Sequence, residues 1–218
     1  MRVAVLGAGG RVGKALVARI RAAGDLELAG TPGRDLALTP ITGDVVVDFS
    51  GPTGTMALLD HLSGTDLPVV VGTTGFDPAQ MQRLRDEGAR RPLFVAANFT
   101  PGFGVFRKAL LGLAQSLPQA RLTLAETYNK AKKRQPSGTT LGLQADISAL
   151  DPVREVEVAL NREGEIAGIT AFTLALDSAQ ITLTLNVDSR DAYAAGALEA
   201  ARWLRGRAPG FYTDINAN

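Results

Sequence analysis

Lys130, Lys132, Lys133 and Arg134 put four cations within five positions, directly before Pro136-Ser137-Gly138-Thr139 and a stretch, Thr139 to Leu150, that reads as a helix. Residues of these types in this order build an anion site. Pro136 and Gly138 break the chain, Ser137 or Thr139 can cap the helix, and the N–H groups of its first turn point at whatever lies in front. A small carboxylate or a phosphate suits such a place. Glu126-Thr127-Tyr128-Asn129 leads into the run.

The rest of the composition narrows the chemistry. Lys+Arg 23 against Asp+Glu 22 leaves a net charge of +1 on 218 residues, so the basic run is local and no global field draws the protein to nucleic acid or an anionic membrane. Aromatic side chains for base stacking are sparse around the run, and neither kind of partner is expected. Cysteine is absent and His61 is the single histidine, which removes thiolate chemistry and disfavours a Ser-His-Asp triad or a histidine-rich metal centre; no metal site is expected. No signal peptide or long apolar segment is visible, and a cytoplasmic location is the expectation.

The elements that must position the anion site begin with a different kind of fold. Arg2 to Leu6 is a short apolar strand that runs into Gly7-Ala8-Gly9-Gly10-Arg11-Val12-Gly13 and then an amphipathic helix, Lys14 to Ala23. Strand, glycine turn and helix open a dinucleotide-binding domain, because the pyrophosphate needs a tight turn, a backbone without Cβ and a helix N-terminus. Read as G-x-G-x-x-G from Gly7, the third glycine position holds Val12; read as G-x-x-G-x-x-G, Gly7, Gly10 and Gly13 all fit. A second strand, Leu26 to Gly30, ends without the acid that would bind a ribose hydroxyl of NAD. It is followed instead by Thr31-Pro32-Gly33-Arg34, and an arginine there suits the 2′-phosphate of NADP.

Further strands fall at Asp44 to Ser50, Leu67 to Val71 and Leu93 to Ala96, with helices opening at Pro52 and at Asp77-Pro78. They end in Asp48-Phe49-Ser50, Gly72-Thr73-Thr74-Gly75 and Ala97-Asn98-Phe99-Thr100, and the carboxyl ends of such strands line the ligand crevice of an open parallel sheet. Beyond Gly102 the pattern changes. A helix from Val105 to Leu117, a strand from Arg121 to Glu126, the basic run with its helix, and alternating segments at Arg154 to Leu160, Ile169 to Leu176 and Gln180 to Val187 describe a smaller α+β domain with a mostly antiparallel sheet. A last amphipathic helix, Arg190 to Gly206, carries the only tryptophan, Trp203, and is expected to pack back on the first domain. The predicted fold is therefore α/β, a Rossmann-type parallel sheet domain (1–101 with 189–218) and a second domain (102–188) for substrate and assembly.

Laid out this way, the chain resembles the dihydrodipicolinate reductase (4-hydroxy-tetrahydrodipicolinate reductase) family of lysine biosynthesis. The resemblance rests on the glycine loop 7–13, Val47-Asp48-Phe49-Ser50, Gly72-Thr73-Thr74-Gly75-Phe76, Ala96-Ala97-Asn98-Phe99-Thr100, Lys132 with Pro136-Ser137-Gly138-Thr139, and Ser189-Arg190, and so spans most of the chain. It implies a nicotinamide cofactor, NADPH preferred and NADH possible, held by Gly7, Gly9, Gly10, Arg11, Val12, Arg34, Phe49, Ser50, Gly72, Thr73, Thr74, Ala96, Ala97, Asn98 and Phe99. It implies a cyclic dicarboxylate held at Ser137, Gly138 and Thr139, with Asn129 beside it, and usually a homotetramer joined through the second domain's sheet.

Under that resemblance Lys132 is the candidate acid, since a partly desolvated lysine is brought toward neutral pH. Tyr128 is a second candidate; its free pKa of about 10 makes it a donor only beside a cation that stabilises the phenolate. Lys130, Lys133 and Arg134 read as solvated surface cations. Tyr128 and Asn129 stand where the family has two adjacent histidines, Arg134-Gln135 where it has Asp-Ala, and the segment around Asn161 to Ile169 is short. These departures favour an alternative with the same fold and cofactor but another carboxylate, or binding without turnover.

Overall fold

The computed structural model describes residues 1–33, 40–130 and 136–215, which fold into two compact units, Met1–Phe99 with Arg190–Asn218, and Thr100–Ser189. Arg34 and Lys132 lie outside the described residues.

The first unit is a six-stranded sheet whose paired strands are all parallel. Strands β1 (Arg2–Leu6), β2 (Glu27–Gly30), β3 (Val45–Asp48), β4 (Val69–Val71), β5 (Pro92–Val95) and β10 (Gly210–Tyr212) lie in the order β10-β5-β4-β3-β1-β2. Strand residues alternate between two buried faces, which is why these segments read as continuous apolar runs. Val3, Val5, Val45, Val47 and Val70 pack with α1 (Arg11–Ala22) and α6 (Asp191–Leu204) through Leu16, Ile20, Ala197 and Ala201. Ala4, Leu6, Val46, Val69, Val71 and Leu93 face the other way, onto Leu58 and Leu59 of α2 (Pro52–His61) and Leu84 of α3 (Pro78–Gly88). The last helix thus packs where the sequence places it. Its Gly196 lies so close to the chain after β5 that a Cβ there would fall 1.8 Å from the Phe99 carbonyl oxygen.

The second unit holds α4 (Phe103–Ser116), β6 (Arg121–Tyr128), α5 (Gly138–Leu150), β7 (Val156–Arg162), β8 (Gly168–Ala175) and β9 (Gln180–Val187). Its sheet order is β7-β6-β8-β9, with β8 antiparallel to both its neighbours and β6 parallel to β7. The parallel pair follows from α5, the crossover helix between its strands. Both helices contribute to one core, where Phe106 and Leu110 of α4 and Leu143 and Ile147 of α5 meet Leu122, Leu124, Phe172 and Leu174 of the sheet.

Several boundaries differ from the sequence reading, and one strand was not expected. α1 starts at Arg11, so Arg11 and Val12 form its first turn instead of the loop before it. β6 runs on to Tyr128, and β7 runs past Leu160 to take in Asn161 and Arg162. β10 is three residues long, too short to show an alternation, and is held by β5 and by the Trp203–Tyr212 edge contact at 5.1 Å. Among the described residues no helix is long and apolar enough to cross a membrane.

Candidate functional site

Strand order reverses at β1, which pairs with β2 on one side and β3 on the other, and the crevice at such a switch point lies beyond the strands' carboxyl ends. A cavity of 750 Å³ opens there, lined by Leu6 to Gly10, by Thr31 to Gly33 and by Phe49, Ser50, Gly51, Thr53, Gly54 and Ala57. That volume is in the range of a cofactor site. The backbone explains the glycines. Gly7 has φ +82°, and a Cβ on it would lie 2.6 Å from the Phe49 carbonyl oxygen; the Gly10 N–H closes the turn on the Gly7 carbonyl at 2.9 Å. A Cβ on Gly13 would fall 2.1 Å from the same carbonyl, so this glycine sets how closely helix and strand approach. Around a Cβ on Gly9 there is no protein atom within 4 Å, and Gly9 is among the residues lining the cavity. Two helices begin here, α1 after Gly10 and α2 after Gly51, and neither has a side-chain cap. Their first-turn N–H groups suit a pyrophosphate, and the residues present therefore fit a dinucleotide.

Behind the cavity wall stands Asp48, fully buried at the end of β3. Its carboxylate accepts from the Ser50 N–H at 2.8 Å, the Ser50 hydroxyl at 2.6 Å, the Thr55 hydroxyl at 2.5 Å and the Thr73 hydroxyl at 3.3 Å. One side chain thus ties the loop after β3 to α2 and to the loop after β4. Burial pushes its carboxyl up from the usual range, and these hydrogen bonds offset part of that shift.

The cofactor residues named from sequence converge in part. Phe49 lays its ring on Gly72, where a Cβ would sit 2.2 Å from the ring, and meets the Phe99 ring at 5.5 Å. Gly7, Gly72 and Phe99, from the ends of β1, β4 and β5, thus each meet Phe49 at the end of β3, with Ser50 and Thr73 fixed to Asp48 beside it. Of the predicted cofactor residues Gly7, Gly9, Gly10, Phe49 and Ser50 line the cavity; Val12 packs partly into the core, and Arg11, Gly72, Thr73, Thr74 and Ala96 to Phe99 are not among its lining residues. Arg34 is outside the described residues, although Gly33 just before it lines the cavity.

In the second unit the start of α5 carries the anion-site geometry. Ser137 is its N-cap and accepts from the Thr140 N–H at 3.2 Å. Side chains of β6 alternate, so Leu122, Leu124, Glu126 and Tyr128 share the buried, helix-covered face. Glu126, fully buried, faces the loop before α5. Its Oε2 accepts from the Ser137 N–H at 2.9 Å and from the Thr140 hydroxyl at 2.5 Å, and its Oε1 from Arg162 Nη2 at 2.7 Å. The Thr140 hydroxyl gives its one proton to Glu126 and lies 3.1 Å from the Ser137 hydroxyl. Burial pushes the Glu126 carboxyl up, but the bonds from Ser137, Thr140 and Arg162 outweigh it and hold the group below the usual carboxylate value.

Tyr128 closes β6, buried, with the Arg162 guanidinium 5.8 Å from its ring centroid. Asn129 is half-buried and its N–H reaches the Ile166 carbonyl at 3.1 Å. Tyr128, Ser137 and Thr139 are thus buried around one strand end and one helix start, while Lys132 falls outside the described residues. Asp48, Thr55, Glu126, Thr140 and Arg162 were not among the predicted site residues. For Glu126 a signal existed, a carboxylate at an inward position of an alternating strand, where an acid needs partners.

The description "Dihydrodipicolinate reductase, N-terminus" matches residues 33–99, and "Dihydrodipicolinate reductase, C-terminus" matches residues 102–216. The 4-hydroxy-tetrahydrodipicolinate reductase of Acidiphilium cryptum is 36% identical over 97% of this chain and 95% of its own length. That of Nitratiruptor sp. is 31% identical over 98% and 97%. Among solved structures, a dipicolinate-bound dihydrodipicolinate reductase from Paenisporosarcina sp. TG-14 shares the fold, with a TM-score of 0.79 over 100% of this chain and 99% of its own at 17% identity. A probable dehydrogenase from Thermotoga maritima does so at a TM-score of 0.68, 98% and 91% coverage and 10% identity.

Proposed function

The chain belongs to the dihydrodipicolinate reductase family, an enzyme with 4-hydroxy-tetrahydrodipicolinate reductase activity in lysine biosynthesis, and from that premise we propose how its residues divide the reaction. Its N-terminal domain is the NAD(P)-binding one. The observation that carries the cofactor reading is the cavity at the β1–β3 switch point, with two helix N-termini that no side chain caps. Gly7, Gly9 and Gly10 with the first turn of α1, at Arg11 and Val12, hold the pyrophosphate. Arg34, just past the Gly33 rim, meets the 2′-phosphate and makes NADPH the preferred cofactor, with NADH accepted more weakly. Phe49, Ser50, Gly72, Thr73 and Thr74, with Ala96 to Phe99, form the wall against which the nicotinamide end rests. When bound, the cofactor supplies the hydride.

The substrate is a cyclic unsaturated dicarboxylate of the dihydrodipicolinate type; the Paenisporosarcina protein of the same fold holds dipicolinate. Ser137, Gly138 and Thr139 at the start of α5 hold one carboxylate, and Asn129 adds an amide. Lys132 gives its proton to the enamine-like carbon left after reduction, and Tyr128, with Arg162 near its ring, is the second candidate for that role. A cytoplasmic homo-oligomer, a tetramer by resemblance, is the working form.

Steady-state oxidation of NADPH and of NADH with enzymatically generated dihydrodipicolinate tests this reading in the wild type and in Arg34→Ala. The expected result is saturable oxidation of both, with the preference for NADPH reduced about tenfold or more in the variant, as befits loss of a charged phosphate contact. Tight NADPH binding without oxidation contradicts the substrate assignment, and an unchanged NADPH to NADH ratio contradicts the role of Arg34.

A further inference from the structure

Glu126 is an odd residue to find beside an anion site. Its carboxylate is fully buried and one hydrogen bond away from the N-cap of α5, where a ligand carboxylate would meet a like charge. Two features of the geometry account for it. Three donors from three places in the unit converge on it: the Ser137 N–H before α5, the Thr140 hydroxyl in its first turn, and the Arg162 guanidinium at the end of β7. A carboxylate has acceptors on both oxygens, whereas an amide would turn an NH₂ toward one of these donors whichever way it lay. Arg162, whose side chain is 14% exposed, also cancels the charge locally, so that the helix start remains net positive toward the outside.

We infer that Glu126 and Arg162 are a positioning pair for substrate: Glu126 fixes the Ser137–Thr140 turn that receives a carboxylate, and Arg162 removes the repulsion that Glu126 would otherwise exert. Neither residue touches the reacting atoms. The inference rests on the reading of the α5 start as the dicarboxylate floor, and adds to it the device that keeps that floor in shape and in charge. The ladder supports the pairing. Tyr128 sits opposite Arg162 in the β6–β7 register, and Glu126 is two residues earlier on the same face, so Arg162 reaches Glu126 diagonally while its guanidinium lies against the Tyr128 ring. Two backbone bonds, Glu163 N–H to the Tyr128 carbonyl at 3.0 Å and Asn129 N–H to the Ile166 carbonyl at 3.1 Å, hold the strand ends together beyond the pair.

The test measures three quantities on folded full-length protein: affinity for pyridine-2,6-dicarboxylate, affinity for NADPH, and kcat with KM for dihydrodipicolinate. In both Glu126→Gln and Arg162→Gln the dicarboxylate dissociation constant and KM are expected to rise about tenfold or more, as loss of a charge-assisted bond would give, while NADPH affinity and kcat stay within about threefold. The double variant is expected to lose less than the product of the two single losses, because removing the arginine does no electrostatic harm once the carboxylate is gone. Thr140→Val, which removes one donor and keeps the shape, is expected to fall between wild type and Glu126→Gln, and it decides the matter if Glu126→Gln does not fold. A wild type that binds NADPH but no dicarboxylate overturns the reading of the floor, and the pair with it. A wild type that binds the dicarboxylate alongside variants that bind it equally well overturns the pair alone. Equal losses for dicarboxylate and NADPH mark general loosening and also overturn it.

Discussion

Asp48 and Glu126 are both fully buried carboxylates that accept hydrogen bonds from hydroxyls and a backbone N–H, yet their titration runs in opposite directions. At Asp48 desolvation outweighs the bonds from Ser50, Thr55 and Thr73; at Glu126 the bonds from Ser137 and Thr140, with Arg162 adding the smallest share, outweigh desolvation. The sign of each follows from linkage. A raised folded-state value means that the protonated form of Asp48 is favoured by folding, so its ionisation costs stability as pH rises from the ordinary carboxylate value of about 4 through the raised one. A lowered value means that Glu126 contributes stability above about pH 4 and loses it as pH falls through its folded-state value. Thermal unfolding of wild type, Asp48→Asn and Glu126→Gln across the acid range checks this. The advantage of wild type over Asp48→Asn should shrink as pH rises, and its advantage over Glu126→Gln should shrink as pH falls; parallel curves would contradict both assignments. The sequence placed Asp48 at a crevice-lining strand end and Glu126 at an inward strand position, but not their partners, because Thr55, Thr73, Thr140 and Arg162 are brought to them only by the fold.

The glycine loop was the most legible element, since strand, turn and helix follow one another without a gap and only small residues fit. What the sequence could not separate is which glycine serves the fold and which serves the ligand. Gly13 touches protein and Gly9 touches none. Gly13→Ala must push the helix off the strand and should cost ~1–3 kcal/mol, with NADPH binding weakened as a consequence. Gly9→Ala should leave the melting temperature unchanged and raise the NADPH dissociation constant by about tenfold, since Gly9 lines the cavity and its methyl meets no protein atom. Melting curves and NADPH titration of the two variants read this directly, and a destabilised Gly9→Ala would contradict the division of roles. The element boundaries that shifted did so for local reasons. α1 begins at Arg11 because Gly10 already serves as N-cap, and β6 and β7 run on together because Thr127 and Tyr128 pair with Asn161 and Arg162, whose guanidinium is satisfied by Glu126.

At the scale of the molecule, the chain leaves the first unit at Phe99 and returns at Arg190, so that α6 and β10 complete a core begun by β1. The parallel-sheet unit was readable because each strand is buried on both faces; the parallel β6–β7 pair was less so, since nothing in the alternation of a strand states the direction of its neighbour. On the proposed reading the first unit binds the dinucleotide and the second the substrate carboxylate. In the proposed reaction the basic run before α5 supplies the proton through Lys132, and kinetics of Lys132→Met are the most direct measurement of it. The expected result is a fall in kcat of about a hundredfold or more, the usual worth of a general acid, with NADPH affinity unchanged. A variant that turns over dihydrodipicolinate at the wild-type rate would contradict the claim and pass the role of acid to Tyr128.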